Sequence, residues 1–243
     1  MKPSPLPLDG EVHLYCLNLP HDASKLTGYG CLLSEAETKR AGLLKSELVT
    51  SRFIAGRGIL RTILGAYLDV DPADVKLATG EHGKPYLADG TKDLRFNLSH
   101  VDDLLVLAVA AGLEVGIDIE KIAAGKPVHD IARLAFSRQE QEVLLAMPAS
   151  RQIQAFYRCW VLKEACLKAC GSGFSLPGSS FDMPLIFEPM VKLINCNQTF
   201  WHVRDIEVPE KYCAALAVEA RGGSPSLPEI VWCVPNGKLA DNT

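Results

Sequence analysis

The sequence lacks the features of a membrane, secreted or disordered protein. Its apolar runs, such as residues 104–111, are far shorter than the ~20 residues that a membrane-spanning helix needs. The first ten residues hold no apolar segment typical of a secretory signal. Apolar residues make up 48% of the 243 residues and charged residues 22%, which excludes intrinsic disorder for most of the chain. We expect a globular, cytoplasmic protein without a membrane partner.

Positive charge is not in excess. The formal net charge is −4, whereas a non-specific nucleic-acid binder is usually basic. We therefore expect no nucleic-acid partner. An anionic ligand would need a local cationic site.

The eight cysteines lack the spacing of a metal site or a disulfide framework. No Cys-x-x-Cys pair occurs, and no cysteine lies at zinc-finger spacing from a histidine. This usage favours small, buried, reduced side chains. The residues are Cys16, Cys31, Cys159, Cys166, Cys170, Cys196, Cys213 and Cys233.

Two similar patterns follow one another along the chain. Ser34–Glu37 and Ser137–Glu140 both match a capping box, in which the serine caps a helix and the glutamate reaches back to it. Each box predicts a pair of helices. The first pair covers residues 34–44 and 46–67. The second pair is a helix that begins after residue 137 and a helix over residues 153–169. Alternating apolar residues then predict strands over 94–98, 104–110, 114–119, 200–206 and 212–219, with 12–19 and 230–234 joining the same sheets.

These patterns predict an α+β fold made of two similar α+β halves, residues 1–120 and 121–243. Each half would be an antiparallel sheet packed on helices. If the similarity is not due to chance, a pseudo-twofold axis relates the halves, and ligand sites are common at such interfaces. Gly56 and Gly58, inside the second predicted helix, indicate close packing there.

Carboxylates and a lysine stand at spacings that bring them together. On the strand Val115–Glu120, the side chains of Asp118 and Glu120 share one face. On the helix that follows the second box, Trp160, Glu164 and Lys168 lie four residues apart and share another face. A solvated strand face and a surface salt-bridge ladder are the plain alternatives.

A polar loop and strand end supply further candidates. Gly83-Lys84-Pro85 predicts a turn whose backbone can approach a ligand. Asn97, Ser99 and His100 offer hydrogen-bond donors at the end of a strand, although each also suits a structural role. Since Mg²⁺ usually binds one or two carboxylates plus substrate phosphates, the residues together indicate a Mg²⁺-dependent enzyme acting on a phosphate or pyrophosphate.

Three segments resemble the motifs of the 4'-phosphopantetheinyl transferases, in their long, surfactin-synthetase-activating type. They are Phe96-Asn-Leu-Ser-His100, Gly116-Ile-Asp-Ile-Glu120 and Trp160-Val-Leu-Lys-Glu-Ala-Cys-Leu-Lys168. The resemblance covers about residues 30–220 and includes the turn at Gly83. It implies a pseudo-dimeric monomer with its site between the halves. It also implies transfer of 4'-phosphopantetheine from coenzyme A to a serine of an apo acyl or peptidyl carrier protein, with release of 3',5'-ADP.

The resemblance also implies residue roles. Asp118, Glu120 and Glu164 would bind Mg²⁺, with Mn²⁺ as the alternative ion. Glu164 would be the general base for the serine, with Glu120 as the second candidate, and Lys168 would neutralise the pyrophosphate. The residues assigned to coenzyme A are Arg40, Gly83, Lys84, Pro85, Asn97, Ser99, His100 and Lys168.

Several questions stay open at this point. Arg52 and Arg57 fit a phosphate site or a surface salt bridge equally well. The acceptor can belong to a fatty-acid, polyketide or non-ribosomal peptide synthase. The competing functions are another Mg²⁺ enzyme, such as a nuclease or phosphohydrolase, and a non-catalytic module that binds coenzyme A or a nucleotide.

Overall fold

The computed structural model describes residues 6–80, 83–88, 93–171, 176–183, 185, 192–221 and 228–233. The elements up to the middle of the chain are β1 (Glu11–Asn18), α1 (Ala23–Gly30), α2 (Glu35–Gly42), α3 (Glu47–Leu68), β2 (Leu77–Thr79), β3 (Pro85–Leu87), β4 (Leu94–Val101), β5 (Leu104–Ala111) and β6 (Val115–Lys121). The remainder are α4 (Val128–Ala135), α5 (Arg138–Ala146), α6 (Ala149–Cys170), β7 (Lys192–Cys196), β8 (Thr199–Ile206), β9 (Tyr212–Glu219) and β10 (Glu229–Trp232). Within these ranges, no helix combines the length and apolar character needed to cross a bilayer.

Two four-stranded sheets and one hairpin carry the strands. The first sheet has the order β10-β1-β5-β4, the second has the order β6-β9-β8-β7, and β2 pairs with β3. The prediction of antiparallel sheets holds with one exception, because β10 runs parallel to β1. The two strands lie far apart in sequence, so no hairpin forces them to be antiparallel.

The sheets form adjacent inner layers between the two long helices. Leu105, Leu107 and Val109 of β5 point to one face and pack with α3, while the alternate residues of β5 pack against β6 and β9. The second sheet packs its other face on α6 through residues such as Ala215 and Ala217. Strand β5 is buried on both faces, so its apolar run is nearly continuous.

Both predicted capping boxes are confirmed. Ser34 Oγ accepts a hydrogen bond from Glu37 N at 3.3 Å, and Glu37 Oε2 accepts one from Ser34 N at 3.0 Å. Ser137 and Glu140 make the same two bonds at 3.2 and 2.7 Å.

Each capping glutamate also pairs with a buried cation of the following long helix. Arg61 contacts Glu37 at 2.8 Å, and Lys163 contacts Glu140 at 2.8 Å. The cations are 2% and 3% exposed, so the two pairs fix α2 on α3 and α5 on α6 in similar ways.

The α+β prediction is confirmed, and so are the helices and strands predicted from periodicity, with small shifts at their ends. Helix α6 begins at Ala149 rather than near residue 153, while α1, α4 and the short strands β2, β3 and β7 were not predicted. The pseudo-twofold axis and the division at residue 120 stay predictions. All of β6 except its last residue lies before that division, yet β6 pairs with β9, and β10 lies after it yet pairs with β1.

Candidate active site

A close crossing of α6 over β6 brings two of the motifs together. A Cβ at Gly116 would overlap the carbonyl oxygen of Ala165 and the backbone nitrogen of Ala169, so only glycine fits there. Ile117 and Ile119 point away from α6 into the core between the sheets. Asp118 and Glu120 therefore face α6, as the strand period predicts.

An ion pair between a buried carboxylate and a partly buried lysine lies at this crossing. Lys168 Nζ donates to Asp118 Oδ1 at 2.6 Å and to Ser99 Oγ at 3.0 Å, and Ser99 Oγ donates to the same Oδ1 at 2.9 Å. The residues come from β4, β6 and α6, so both sheets contribute. Asp118 Oδ2 is buried and has no hydrogen-bond partner among the described residues. A buried carboxylate oxygen without a partner is costly, and it commonly marks a position where a ligand or ion binds.

Two more carboxylates share the electrostatic field of Asp118. Burial raises the pKa of Glu164, and the negative charge of Asp118 raises it further, against the opposing charge of Lys168. Burial and Asp118 likewise raise the pKa of Glu120. Lys126 and a hydrogen bond from Trp160 act in the opposite direction. The predicted set of three carboxylates is therefore close enough to interact.

The donor set suits a hard divalent cation. Asp118, Glu120 and Glu164 supply only oxygen atoms, and one of these atoms lacks a partner. Within the described residues, however, no group of three or more His, Cys, Asp or Glu side chains, the predicted set included, is placed so that it could cage a metal ion. A Mg²⁺ ion does not need such a cage, because it usually keeps water and substrate phosphates among its ligands.

Positive charges surround His100. Burial of part of the ring, followed by the charges of Arg52 and Lys168, lowers the pKa of His100. Arg52 is held by Asp103, whose Oδ1 accepts from its Nε at 2.8 Å, and His21 lies 3.0 Å from the same oxygen. This cationic edge lies beside Lys168, where an anionic group of a substrate would be favoured.

The turn at Gly83 adopts the positive φ of 85° that favours glycine. Lys84 Nζ donates to Glu114 Oε2 at 3.0 Å and to the carbonyl oxygens of Val115 and Ala169 at 3.2 Å each. This lysine thus ties the β2–β3 hairpin to β6 and to the end of α6. Lys84 and Pro85 also line a cavity of about 460 Å³.

Of the other residues assigned to coenzyme A, Asn97 has a structural hydrogen bond and Arg40 lies on an exposed helix end. Asn97 is 4% exposed, and its Oδ1 accepts a hydrogen bond from Ile117 N at 2.9 Å, which links the two sheets. Arg40 lies on the exposed last turn of α2. Burial lowers the pKa of Arg57, Glu37 opposes this, and the positive charges of Arg40 and Arg61 add to the lowering. The binding roles of Asn97 and Arg40 stay predictions.

Sequence reasoning left Arg52 undecided and overlooked Trp160 as a hydrogen-bond donor to Glu120. The sequence did hold a signal for Trp160, because its spacing of four residues places it on the same helix face as Glu164. For Arg52 no local signal exists, because its neighbour His100 lies on another element.

The chain is similar in sequence to known proteins along most of its length. The family described as the 4'-phosphopantetheinyl transferase superfamily matches residues 114–217, and the family described as 4'-phosphopantetheinyl transferase, N-terminal, matches residues 24–112. The 4'-phosphopantetheinyl transferase HetI of Nostoc sp. is 34% identical over 223 residues, which cover 90% of this chain and 92% of that protein. The 4'-phosphopantetheinyl transferase Sfp of Bacillus subtilis is 31% identical over a region that covers 77% of this chain and 81% of that protein.

A phosphopantetheinyl transferase of Thraustochytrium sp. is 32% identical over a region that covers 88% of this chain and 79% of that protein. The N-terminal family match includes Ser99 and His100, and the superfamily match includes Asp118, Glu120, Glu164 and Lys168. With these matches spanning both sheets and the clustered side chains between them, the chain belongs to the 4'-phosphopantetheinyl transferase family of enzymes, in its long, Sfp-like type.

Proposed function

We propose that this enzyme transfers 4'-phosphopantetheine from coenzyme A to a serine of an apo carrier protein and releases 3',5'-ADP, in a Mg²⁺-dependent reaction. The supporting observation is the Asp118–Lys168–Ser99 cluster, with its unpartnered carboxylate oxygen beside Glu120 and Glu164. The proposed Mg²⁺ ion and the ammonium group of Lys168 would together supply the positive charge that a pyrophosphate needs. Mn²⁺ is the alternative ion, since both ions favour oxygen ligands.

The reaction would need a base and charge neutralisation. The serine hydroxyl attacks the β-phosphorus of coenzyme A, its proton passes to a carboxylate, and the bond from that phosphorus to the leaving 3',5'-ADP breaks. Burial and the charge of Asp118 raise the pKa of Glu164, which makes it a stronger base than an exposed carboxylate. Glu120 is the second candidate because its pKa is raised in the same way.

The remaining residues would orient coenzyme A. Asp118, Glu120 and Glu164 would hold the Mg²⁺ ion, which when bound supplies positive charge to the pyrophosphate. Lys168 would neutralise the charge that develops on the leaving group. His100 and Arg52 would contact a phosphate, and the turn at Gly83 would line the adenine and ribose.

An exposed surface on α4 and α5 suits the acceptor. Leu134 is 85% exposed and Leu145 is 63% exposed, and Arg133 and Arg138 lie on the same helices. A carrier protein with an acidic surface would dock there through local apolar and basic contacts despite the acidic net charge of the enzyme. We expect Leu134→Glu to raise the KM for the carrier protein several-fold without changing the KM for coenzyme A.

The assay is the intact mass of an apo carrier protein after incubation with the enzyme, coenzyme A and Mg²⁺, with and without EDTA. We expect a metal-dependent gain of one phosphopantetheine. Asp118→Ala and Glu164→Ala should abolish the gain while circular dichroism shows an intact fold. Glu229→Gln, an exposed change on β10 at the edge of the first sheet opposite β4, is the matched control that should retain activity.

Other outcomes would favour the competing functions. Metal-dependent hydrolysis without a carrier protein would indicate a phosphohydrolase. Binding of coenzyme A without turnover, unchanged by Glu164→Gln, would indicate a binding module. Carrier proteins of fatty-acid, polyketide and non-ribosomal peptide synthases should all be tried. We also infer a monomer, because both sheets of one chain contribute to the cluster. The cytoplasmic location is proposed separately, from the cysteine usage of the sequence.

A further inference from the structure

Two cysteine thiols lie side by side where α6 ends. Cys170 is the last residue of α6, Cys196 is the last residue of β7, and their sulfur atoms are 3.5 Å apart. Cys196 is 1% exposed, whereas Cys170 is half-buried and lines the cavity of about 460 Å³ beside Lys84. The proposed transfer reaction uses neither thiol.

Tight turns hold both cysteines in place. Gly171 ends α6 in the left-handed conformation, with a φ of 65°. Asn197 and Gln198, with φ values of 53° and 61°, form the two-residue turn between β7 and β8. Trp201 Nε1 donates to the carbonyl oxygen of Cys196 at 3.2 Å. A helix end and a tight turn thus place the two sulfur atoms in contact.

We propose that Cys170 and Cys196 are a redox modification site, at which a peroxide converts the two thiols into a reversible disulfide. Sulfur atoms in a disulfide lie ~2.05 Å apart. Starting from 3.5 Å, closure has to bring the two sulfur atoms about 1.5 Å closer. The bond would tie the last turn of α6 to the β7–β8 turn, and this proposal does not depend on the transfer reaction.

The chemistry balances with one peroxide for each disulfide. A peroxide reaches the half-buried Cys170, whose sulfur takes one oxygen to become a sulfenic acid while the other oxygen leaves as water. The sulfur of Cys196 then attacks the sulfenic sulfur, the S–S bond forms, and the second oxygen leaves as water. Two thiols are oxidised and one hydrogen peroxide is reduced to two waters.

The electrostatics of the pair suit the second step. The S–H shared between the two sulfurs lowers the pKa of Cys196, against the opposing effect of burial. The same hydrogen bond, followed by burial, raises the pKa of Cys170. Because its raised pKa keeps Cys170 mainly in the thiol form at neutral pH, the reaction of Cys170 with peroxide is the slow step. We expect the rate of oxidation to increase as the pH rises.

The test uses the full-length, fully reduced protein. It is treated with hydrogen peroxide, its remaining thiols are blocked with N-ethylmaleimide under denaturing conditions, and a non-reduced digest is examined by mass spectrometry. We expect a peptide that links Cys170 to Cys196, so that these two are among the thiols lost from the eight of the reduced protein. The midpoint of thermal unfolding should rise by about 5 °C, because the crosslink restricts the unfolded chain, and dithiothreitol should reverse the rise.

Matched variants make the result specific. Cys170→Ser and Cys196→Ser should each abolish the linked peptide and the thermal shift, whereas Cys213→Ser should retain both. Cys31 is exposed and reports whether the oxidant was effective. The proposal is overturned if Cys31 is oxidised while no Cys170–Cys196 peptide forms, or if Cys170 proceeds to sulfinic acid without a crosslink.

Discussion

Asp118 combines a satisfied and an unsatisfied oxygen in one buried side chain. Oδ1 accepts hydrogen bonds from Lys168 and Ser99, whereas Oδ2 has none among the described residues. Glu120 and Glu164 add like charges nearby. Like charges gathered in a partly buried cluster lower the stability of the protein. In the reaction proposed above, a bound cation would offset that cost.

We predict that Glu164→Gln stabilises the metal-free protein at neutral pH. A carboxyl whose folded pKa is raised contributes stability that is fully present below its unfolded pKa, near 4.5, and is lost as the pH rises through the folded value. Glutamine carries no charge, so the variant avoids this loss. The free energy of unfolding at pH 7 should rise by about 1 kcal/mol or less.

Urea unfolding with EDTA at pH 4 and pH 7 measures this difference. The advantage of the variant should be smaller at pH 4, and the exposed change Glu142→Gln should show none at either pH. A variant that is less stable than the wild type at pH 7 would contradict the assigned electrostatics.

At the scale of elements, the contact between β6 and α6 positions the cluster. Gly116 lets the helix lie directly on the strand, so that Lys168 reaches Asp118. Packing against α6 therefore explains the glycine of the Gly-Ile-Asp-Ile-Glu segment. Its two carboxylates are the residues that we propose as metal ligands. At Gly58 of α3 the expected close packing is confirmed, because a Cβ there would overlap the ring of Tyr29.

We predict that Gly116→Ala separates α6 from β6 and lowers the free energy of unfolding by about 3 kcal/mol, because the new methyl group meets backbone atoms that have no room to move. Gly56→Ala is the matched control in α3, where a Cβ would lie at an ordinary 3.6 Å from Leu105 Cδ1. This control should gain ~0.5–1 kcal/mol from helix propensity. Urea titrations compare the two, and equal stabilities would refute the packing argument.

At the scale of the whole molecule, a shared core joins the two sheets. Leu14 and Val106 of the first sheet pack with Ile117 and Leu216 of the second. Strand β10 adds a second link, because it returns from the end of the chain to pair with β1. Neither sheet buries its inner face without the other.

We therefore predict a single cooperative unfolding transition. Far-ultraviolet circular dichroism and the fluorescence of the three tryptophans, Trp160, Trp201 and Trp232, should give the same urea midpoint. Leu216→Ala, at the buried sheet–sheet contact, should lower the free energy of unfolding by ~2–5 kcal/mol. The urea midpoint should then fall by the same amount for both probes. Two separate transitions would show that residues 1–120 and 121–243 unfold independently.

The sequence by itself determined the local features of this protein. The capping boxes at Ser34 and Ser137, the shared face of Glu164 and Lys168, and the alternation along β6 follow from backbone geometry that repeats every few residues. The α+β class follows from these periods, and the motifs around His100, Asp118 and Glu164 indicated the enzyme family before any fold was known.

Only the tertiary structure decided which distant residues meet. Arg52 lies beside His100, Cys170 contacts Cys196, and β10 runs parallel to β1. Residues far apart in the chain meet because packing two sheets and their helices satisfies burial for the whole molecule at once. No local period in the sequence records that outcome, which is why these contacts could not be predicted.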